Sequence, residues 1–172
     1  MSADAAPGIS APRSRRTLTI VAVVLIGVAL AGDPVARRAL SDGRIVELGV
    51  LQLKLAYNSG VAFSVGNQLP PWVIIAVTAI ITVGIGVYAW RTVPTGSPLG
   101  TVGLSAIVAG AAANVIDRTV DGRVTDYFHT GWWPTFNLAD TYLTCGVVLV
   151  IGSILWEEAA LTRTAHAQEK SG

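Results

Sequence analysis

PWVIIAVTAIITVGIGVYAW, running from Pro71 to Trp90, contains no Asp, Glu, Lys or Arg and has a tryptophan near each end, Trp72 and Trp90. A helix needs about 20 mostly apolar residues to cross ~30 Å of hydrocarbon, so this stretch predicts a membrane span. Tryptophan favours the headgroup boundary, which puts both ends of the segment at an interface. Charge is likewise missing from Thr17 to Gly32, from Thr92 to Ile116 and from Thr141 to Trp156. Four spans are therefore expected, over roughly 17–37, 71–90, 98–116 and 137–156. Trp156 closes the fourth, and Trp132 and Trp133 lie in the loop before it.

Composition agrees with an all-α membrane protein, a four-transmembrane-helix bundle. The 172 residues are 52% hydrophobic and 13% charged, about half the charge of an average globular chain. Twelve Lys and Arg against 11 Asp and Glu leave +1, which excludes a strongly basic surface and, with it, a nucleic-acid partner. A single cysteine excludes an intramolecular disulfide, and with two histidines it argues against a structural metal site. Arg13, Arg15 and Arg16 precede the first span and favour a cytoplasmic N-terminus. An even number of spans then brings the C-terminus to the same side. The competing reading of the N-terminal region is a cleavable leader, with Leu18–Leu30 as its apolar core and Ala29-Leu30-Ala31 as its cleavage site. The division expected is a tail over 1–16, a four-span domain over 17–156 and a second tail over 157–172. Met1–Pro12 and Ala159–Gly172 are polar enough to suggest disorder or fraying.

The polar residues gather in two outer loops. Leu51, Leu53, Leu55 and Tyr57 alternate with Gln52, Lys54, Ala56 and Asn58, the period of a half-buried strand. Asn58-Ser59-Gly60 supplies turn residues, and Val61–Val65 reads as a returning strand. Asp33, Asp117, Asp126 and Asp140 stand at or near span ends, where a carboxylate is costly and asks for a function. Asn114, Asp117 and Arg118 share one face at the end of the third helix, and Asn137 and Asp140 share one at the start of the fourth. Antiparallel packing would bring both sets to the same membrane surface, with Asp126 in the loop between them. A purely structural reading has these groups cap helices and pair with Arg118. For Asp126 and Asp140 a single nearby arginine leaves a carboxylate unneutralised, so function is favoured there.

Other chemistries find no support. Ser105, in Gly103-Leu104-Ser105-Ala106-Ile107, lacks the second glycine of a nucleophile elbow. His129 has no paired serine or cysteine, and Cys145, mid-helix in an apolar run, reads as a buried, inert thiol. A two-carboxylate site remains.

Four ordered motifs carry a family resemblance: Asn58-Ser59-Gly60-Val61-Ala62-Phe63, Asn114-Val115-Ile116-Asp117-Arg118, Val124-Thr125-Asp126-Tyr127 and Phe136-Asn137-Leu138-Ala139-Asp140. Their order, on this hydropathy profile, resembles the bacterial lipoprotein signal peptidases (signal peptidase II) over roughly Thr17 to Trp156. The resemblance implies an intramembrane aspartic endopeptidase of the cell membrane, with a small extracytoplasmic β-cradle on the bundle. It implies Asp126 and Asp140 as catalytic acids and Asn58, Gly60, Asn114, Asp117, Arg118, Asn137 and Asp33 as supporting residues. It implies diacylglyceryl prolipoprotein substrates, membrane lipids as surroundings, a monomer, and no metal or organic cofactor. The chain departs from the family where Asp33 is followed by Pro34, where Arg37 replaces a Lys and where Tyr57 replaces an Arg. It departs again in Ala109-Gly110-Ala111-Ala112-Ala113-Asn114, which lacks two expected glycines. Two other classes fit parts of the sequence: a silent homologue that binds lipopeptides, and a small transporter or proton relay. The relay expects acids spread through membrane depth, whereas these cluster towards one face.

Overall fold

The computed structural model describes residues 11–58 and 70–169. Four helices dominate: α1 (Ala11–Ala39), α2 (Pro71–Thr92), α3 (Pro98–Asp121) and α4 (Leu138–Glu169). Each is long and apolar enough to cross a membrane. Their outward faces are apolar, with Ile80, Val83 and Val148 exposed. That is the pattern of helices whose solvent is lipid. α1 runs unbroken past Asp33 and packs along α3 with one face, burying Leu18, Ala22, Ala29 and Asp33.

The helix ends follow local chemistry. Pro71 and Pro98 open α2 and α3 at a position where a missing N–H costs nothing. Ser97 caps α3, its Oγ accepting from the Gly100 N–H at 3.1 Å. Gly122 closes α3 in the left-handed region at φ 80°, which lets the helix continue past Ile116 and stop within a residue. α4 remains helical to Glu169, whereas its polar end suggests fraying; Ala159, Ala160 and Leu161 are good helix formers and extend it. At the opposite end of the bundle from the acids, the Arg15 guanidinium lies 5.2 Å from the Trp90 ring and donates to the Trp90 carbonyl, joining α1 to α2.

The strands β1 (Val46–Glu47), β2 (Gln52–Asn58) and β3 (Val124–His129) form one antiparallel sheet in the order β1-β2-β3. The strand expected around Leu51–Tyr57 is present, but it pairs with β3, placing Ala56 opposite Asp126 and Asn58 opposite Val124. Val61–Val65 and Gly60 lie outside the described residues. The expected alternation of burial along β2 is absent, because residues 52–56 are all half-buried. A register shift between Leu53 and Ala56 breaks the regular pleat there.

α3 and α4 make the closest helix contact. A Cβ on Gly103 would lie 2.9 Å from the Gly146 carbonyl oxygen, and one on Gly146 would lie 2.7 Å from the Gly103 carbonyl oxygen. A Cβ on Gly110 would collide with the carbonyl oxygen of Ala139. Small residues permit such an approach, and dispersion across it holds the pair together in lipid. At the positions of the absent glycines, Ala109 and Ala113 are buried, and the retained Gly110 sits at the tightest point. Gly110→Ala should cost about 1–3 kcal/mol through overpacking and lower the thermal unfolding midpoint of the purified protein. Gly84→Ala, where nothing lies within 4 Å of the new methyl group, should leave that midpoint unchanged.

Candidate active site

Asn137 caps α4 one residue before its first turn, and the cap is reciprocal. Its Oδ1 accepts from the Asp140 N–H at 2.9 Å, while Asp140 Oδ2 accepts from the Asn137 N–H at 3.2 Å. Asn-Leu-Ala-Asp is thus a capping box in which the second acid of the candidate pair is also the cap's return partner.

The remaining atoms of Asn137 reach the other elements. Its Nδ2 donates to Asp126 Oδ1 at 3.0 Å and to Asn114 Oδ1 at 3.0 Å. Asn114 Nδ2 in turn donates to Asp140 Oδ1 at 2.8 Å. Both Asn137 amide hydrogens and its oxygen are therefore used, which sets the orientation of the amide. β3 contributes Asp126, α3 contributes Asn114, and the start of α4 contributes Asn137 and Asp140. The two acids meet around a single asparagine.

Asp126 is 2% exposed, whereas Asp140 is half-buried. Burial, and then the charge of neighbouring Asp140, push the Asp126 carboxyl up to about 7. Hydrogen bonds from Asn58 and Asn137 and the guanidinium of Arg118 oppose that rise. Asp140 faces an apolar cavity of about 350 Å³ walled by Trp132, Trp133, Phe136, Thr141, Thr144 and Cys145. Cys145 is accordingly exposed on this wall, where its apolar neighbours in sequence predict burial. Thr144 follows Asp140, and Cys145 follows Thr141, one turn later along the cavity-lining side of α4.

A second network positions β3. Arg37 of α1 donates from Nε to Thr125 Oγ1 at 2.7 Å, from Nη2 to Asp117 Oδ1 at 2.8 Å and from Nη1 to Asp121 Oδ2 at 3.0 Å. Asp117 Oδ2 also accepts from the Thr125 N–H at 2.7 Å. The residue immediately before Asp126 is thereby fixed to α1 and α3 together. Tyr127, immediately after it, accepts from the Leu138 N–H at 3.3 Å through its hydroxyl oxygen. Burial pushes the Tyr127 phenol up to about 12, so it remains neutral.

Asn58, Asn114, Asn137, Asp126 and Asp140 are brought together. Asp117 is paired with Arg37 and not with Arg118, the partner a purely structural reading supplies. Arg118 is buried between the acids, and among the described residues its Nε has no hydrogen-bond partner. Sequence-adjacent pairing fails here because residues 117 and 118 point about 100° apart around a helix. Asp33, on α1, makes no hydrogen bond to either acid among the described residues but lies within electrostatic reach of Asp117 and Asp140. Arg37, Thr125 and Tyr127 were not among the candidate residues. The replacement of a Lys by Arg37 was the available signal for the first, and adjacency to Asp126 for the other two.

A four-helix membrane bundle with one buried and one half-buried acid, the first carried by a small sheet, is the arrangement expected of an intramembrane enzyme. The chain belongs to the signal peptidase II family, whose model, described as signal peptidase (SPase) II, matches residues 25–156. It is thus a multi-pass membrane peptidase. A lipoprotein signal peptidase of Hydrogenovibrio crunogenus is 35% identical over 162 residues, covering 90% of this chain and 94% of the relative. One from Rhodococcus jostii is 31% identical over 158 residues, covering 87% and 78%. A solved bacterial membrane enzyme, determined by the in meso method at 2.3 Å, matches with a TM-score of 0.70 at 25% identity. That match covers 84% of this chain and 90% of the other.

Arg37→Lys keeps the charge but loses the planar fork that serves three acceptors on two elements. It should cost about 1–2 kcal/mol, after discounting for partial exposure. A lower unfolding midpoint, together with reduced peptidase activity, is the expected measurement.

Proposed function

We propose that this protein removes the signal peptide from diacylglyceryl-modified prolipoproteins, cutting just before the lipidated cysteine, with Asp126 and Asp140 as the catalytic pair. The observation that carries the proposal is Asn137 holding both acids, Asp126 through its side chain and Asp140 through its backbone N–H. The named activity of the relatives supplies the substrate class.

Like charges this close do not both ionise cheaply, so the pair shares one proton near neutral pH. Burial favours the proton on Asp126, so the single negative charge of the pair falls to its partner. Ionised Asp140, facing the cavity, takes a proton from a water, whose oxygen attacks the scissile carbonyl carbon. Asp126 donates its proton to the carbonyl oxygen as the tetrahedral intermediate forms. When the intermediate collapses, the C–N bond breaks. The nitrogen then takes the proton held by Asp140, and the hydroxyl returns its proton to Asp126. The apolar cavity beside Asp140 suits a lipidated, mostly hydrophobic segment. Asn58 and Asn137, both hydrogen-bonded to Asp126, are the residues proposed to hold substrate backbone. The N-terminal arginines argue for both termini in the cytoplasm and the acids near the outer face, in a monomer surrounded by bilayer lipid.

Asp126→Asn and Asp140→Asn should each abolish cleavage of a diacylated prolipoprotein by purified protein in lipid, and the double variant should be scarcely worse. Lipopeptide binding should persist in all three. Undiminished cleavage by Asp140→Asn rejects the aspartic pair. A folded parent that binds lipopeptide without cutting it points instead to the silent homologue.

The pH profile has a sign. The proton required on Asp126 is present below its pKa of about 7 and lost above it. Cleavage should therefore fall as pH rises through neutrality, with the apparent midpoint belonging to the pair. A rate that stays flat to pH ~9 rejects Asp126 as the proton carrier.

A further inference from the structure

We propose that the cleft between α1 and α3 at the acid-bearing face is a binding site for a primary-ammonium lipid headgroup, that of phosphatidylethanolamine in the surrounding bilayer. The cleft has a volume of about 320 Å³, and its walls include Leu30, Asp33, Pro34, Arg37 and Asp117. Three of these supply acceptors. Asp33 is 8% exposed, and among the described residues no hydrogen bond reaches its carboxylate. Asp117 adds a second carboxylate. Pro34 has no N–H, so its place inside α1 deprives the Leu30 carbonyl of its intrahelical donor. A buried acceptor left unmatched is costly, and an acceptor-rich recess calls for a donor group.

The charge balance selects among donors. Arg37 is engaged by Asp117 and Asp121, and Arg123 lies 3.6 Å from Asp121, while among the described residues no ion pair reaches Asp33. That unpaired carboxylate repels an anionic head and attracts a cation. An alkylammonium offers three N–H donors, matching two carboxylates and one carbonyl. Arg37 uses three of its five N–H groups on protein, leaving two at the mouth of the cleft for a phosphate. Ile116 and Val120, exposed beside the cleft, continue it as an apolar surface for acyl chains. A zwitterionic ethanolamine head with its chains along α3 satisfies each of these features. The inference rests on the α1–α3 cleft alone and stands whether or not the proposed cleavage reaction is correct.

The test is native mass spectrometry of the full-length protein released from detergent. The protein is incubated with equimolar phosphatidylethanolamine, phosphatidylcholine and phosphatidylglycerol of matched chains. Phosphatidylcholine keeps the positive charge without N–H donors, and phosphatidylglycerol carries no cation. Phosphatidylethanolamine should be retained about tenfold or more over both, the range expected for charge-assisted hydrogen bonds. Asp33→Asn should abolish the preference. Pro34→Gln, which returns a donor to the Leu30 carbonyl, should reduce it severalfold and keeps the test decisive if Asp33→Asn fails to fold. Equal retention of the three lipids, or a preference untouched by Pro34→Gln, overturns the proposal.

Discussion

The close approach of α3 and α4 is the constraint on which the acid pair depends. With Gly103 against Gly146 and Gly110 against the Ala139 carbonyl, the two backbones are nearly in contact. Only at that separation can a short Asn114 side chain on α3 reach Asp140 on α4 at 2.8 Å. A wider seam would leave the asparagine short of its acceptor and the acid without its donor. In a membrane the packing and the chemistry cannot be decoupled by filling the gap with water, since an unsatisfied polar group in hydrocarbon is costly. The glycines therefore set the geometry of groups that none of them touches.

Asp126 reaches the site by a different route. It sits on a short strand, and strands of this length are not stable alone. β2 pairs along one edge of β3, and Arg37 holds the residue before Asp126 to two helices. The arginine compensates for what the sheet lacks in extent. Both acids are thus held before any substrate arrives, one by a helix cap and the other by a strand fastened at its neighbouring residue. A site organised in advance spends little on reorganisation during reaction.

The spans were legible because membrane insertion is a composition-level event: charge-free runs with tryptophan at their edges need no tertiary knowledge. The facial grouping of Asn114 with Asp117, and of Asn137 with Asp140, was legible for a similar reason, being fixed by helical spacing. What depended on distant partners was not. β3 carries β-branched and aromatic residues from Val124 to Phe128, yet the sequence there reads as loop because its partner lies in a different loop. A purely structural reading pairs Asp117 with adjacent Arg118, while its counterpart in the fold is 80 positions away. Cys145 was assigned to the interior from its apolar neighbours, although in lipid an apolar run says nothing about which side faces protein. Helix ends were misjudged wherever the stop was conformational, as at Gly122, or absent, as along Ala159–Glu169.

The capping box at the start of α4 restricts how this segment can vary in length. Asn137 and Asp140 must stay three residues apart for the cap to close, and the same spacing sets the direction in which the acid points. One inserted or deleted residue between them would turn the carboxylate by about 100° and carry it off the cavity wall. The same change would uncap a 32-residue helix. Substitution at Leu138 and Ala139 is open to drift within the limits of packing, but insertion and deletion are not. Length variation in this loop is therefore confined to the stretch between His129 and Phe136, where Trp132 and Trp133 line the cavity from outside any strand or helix.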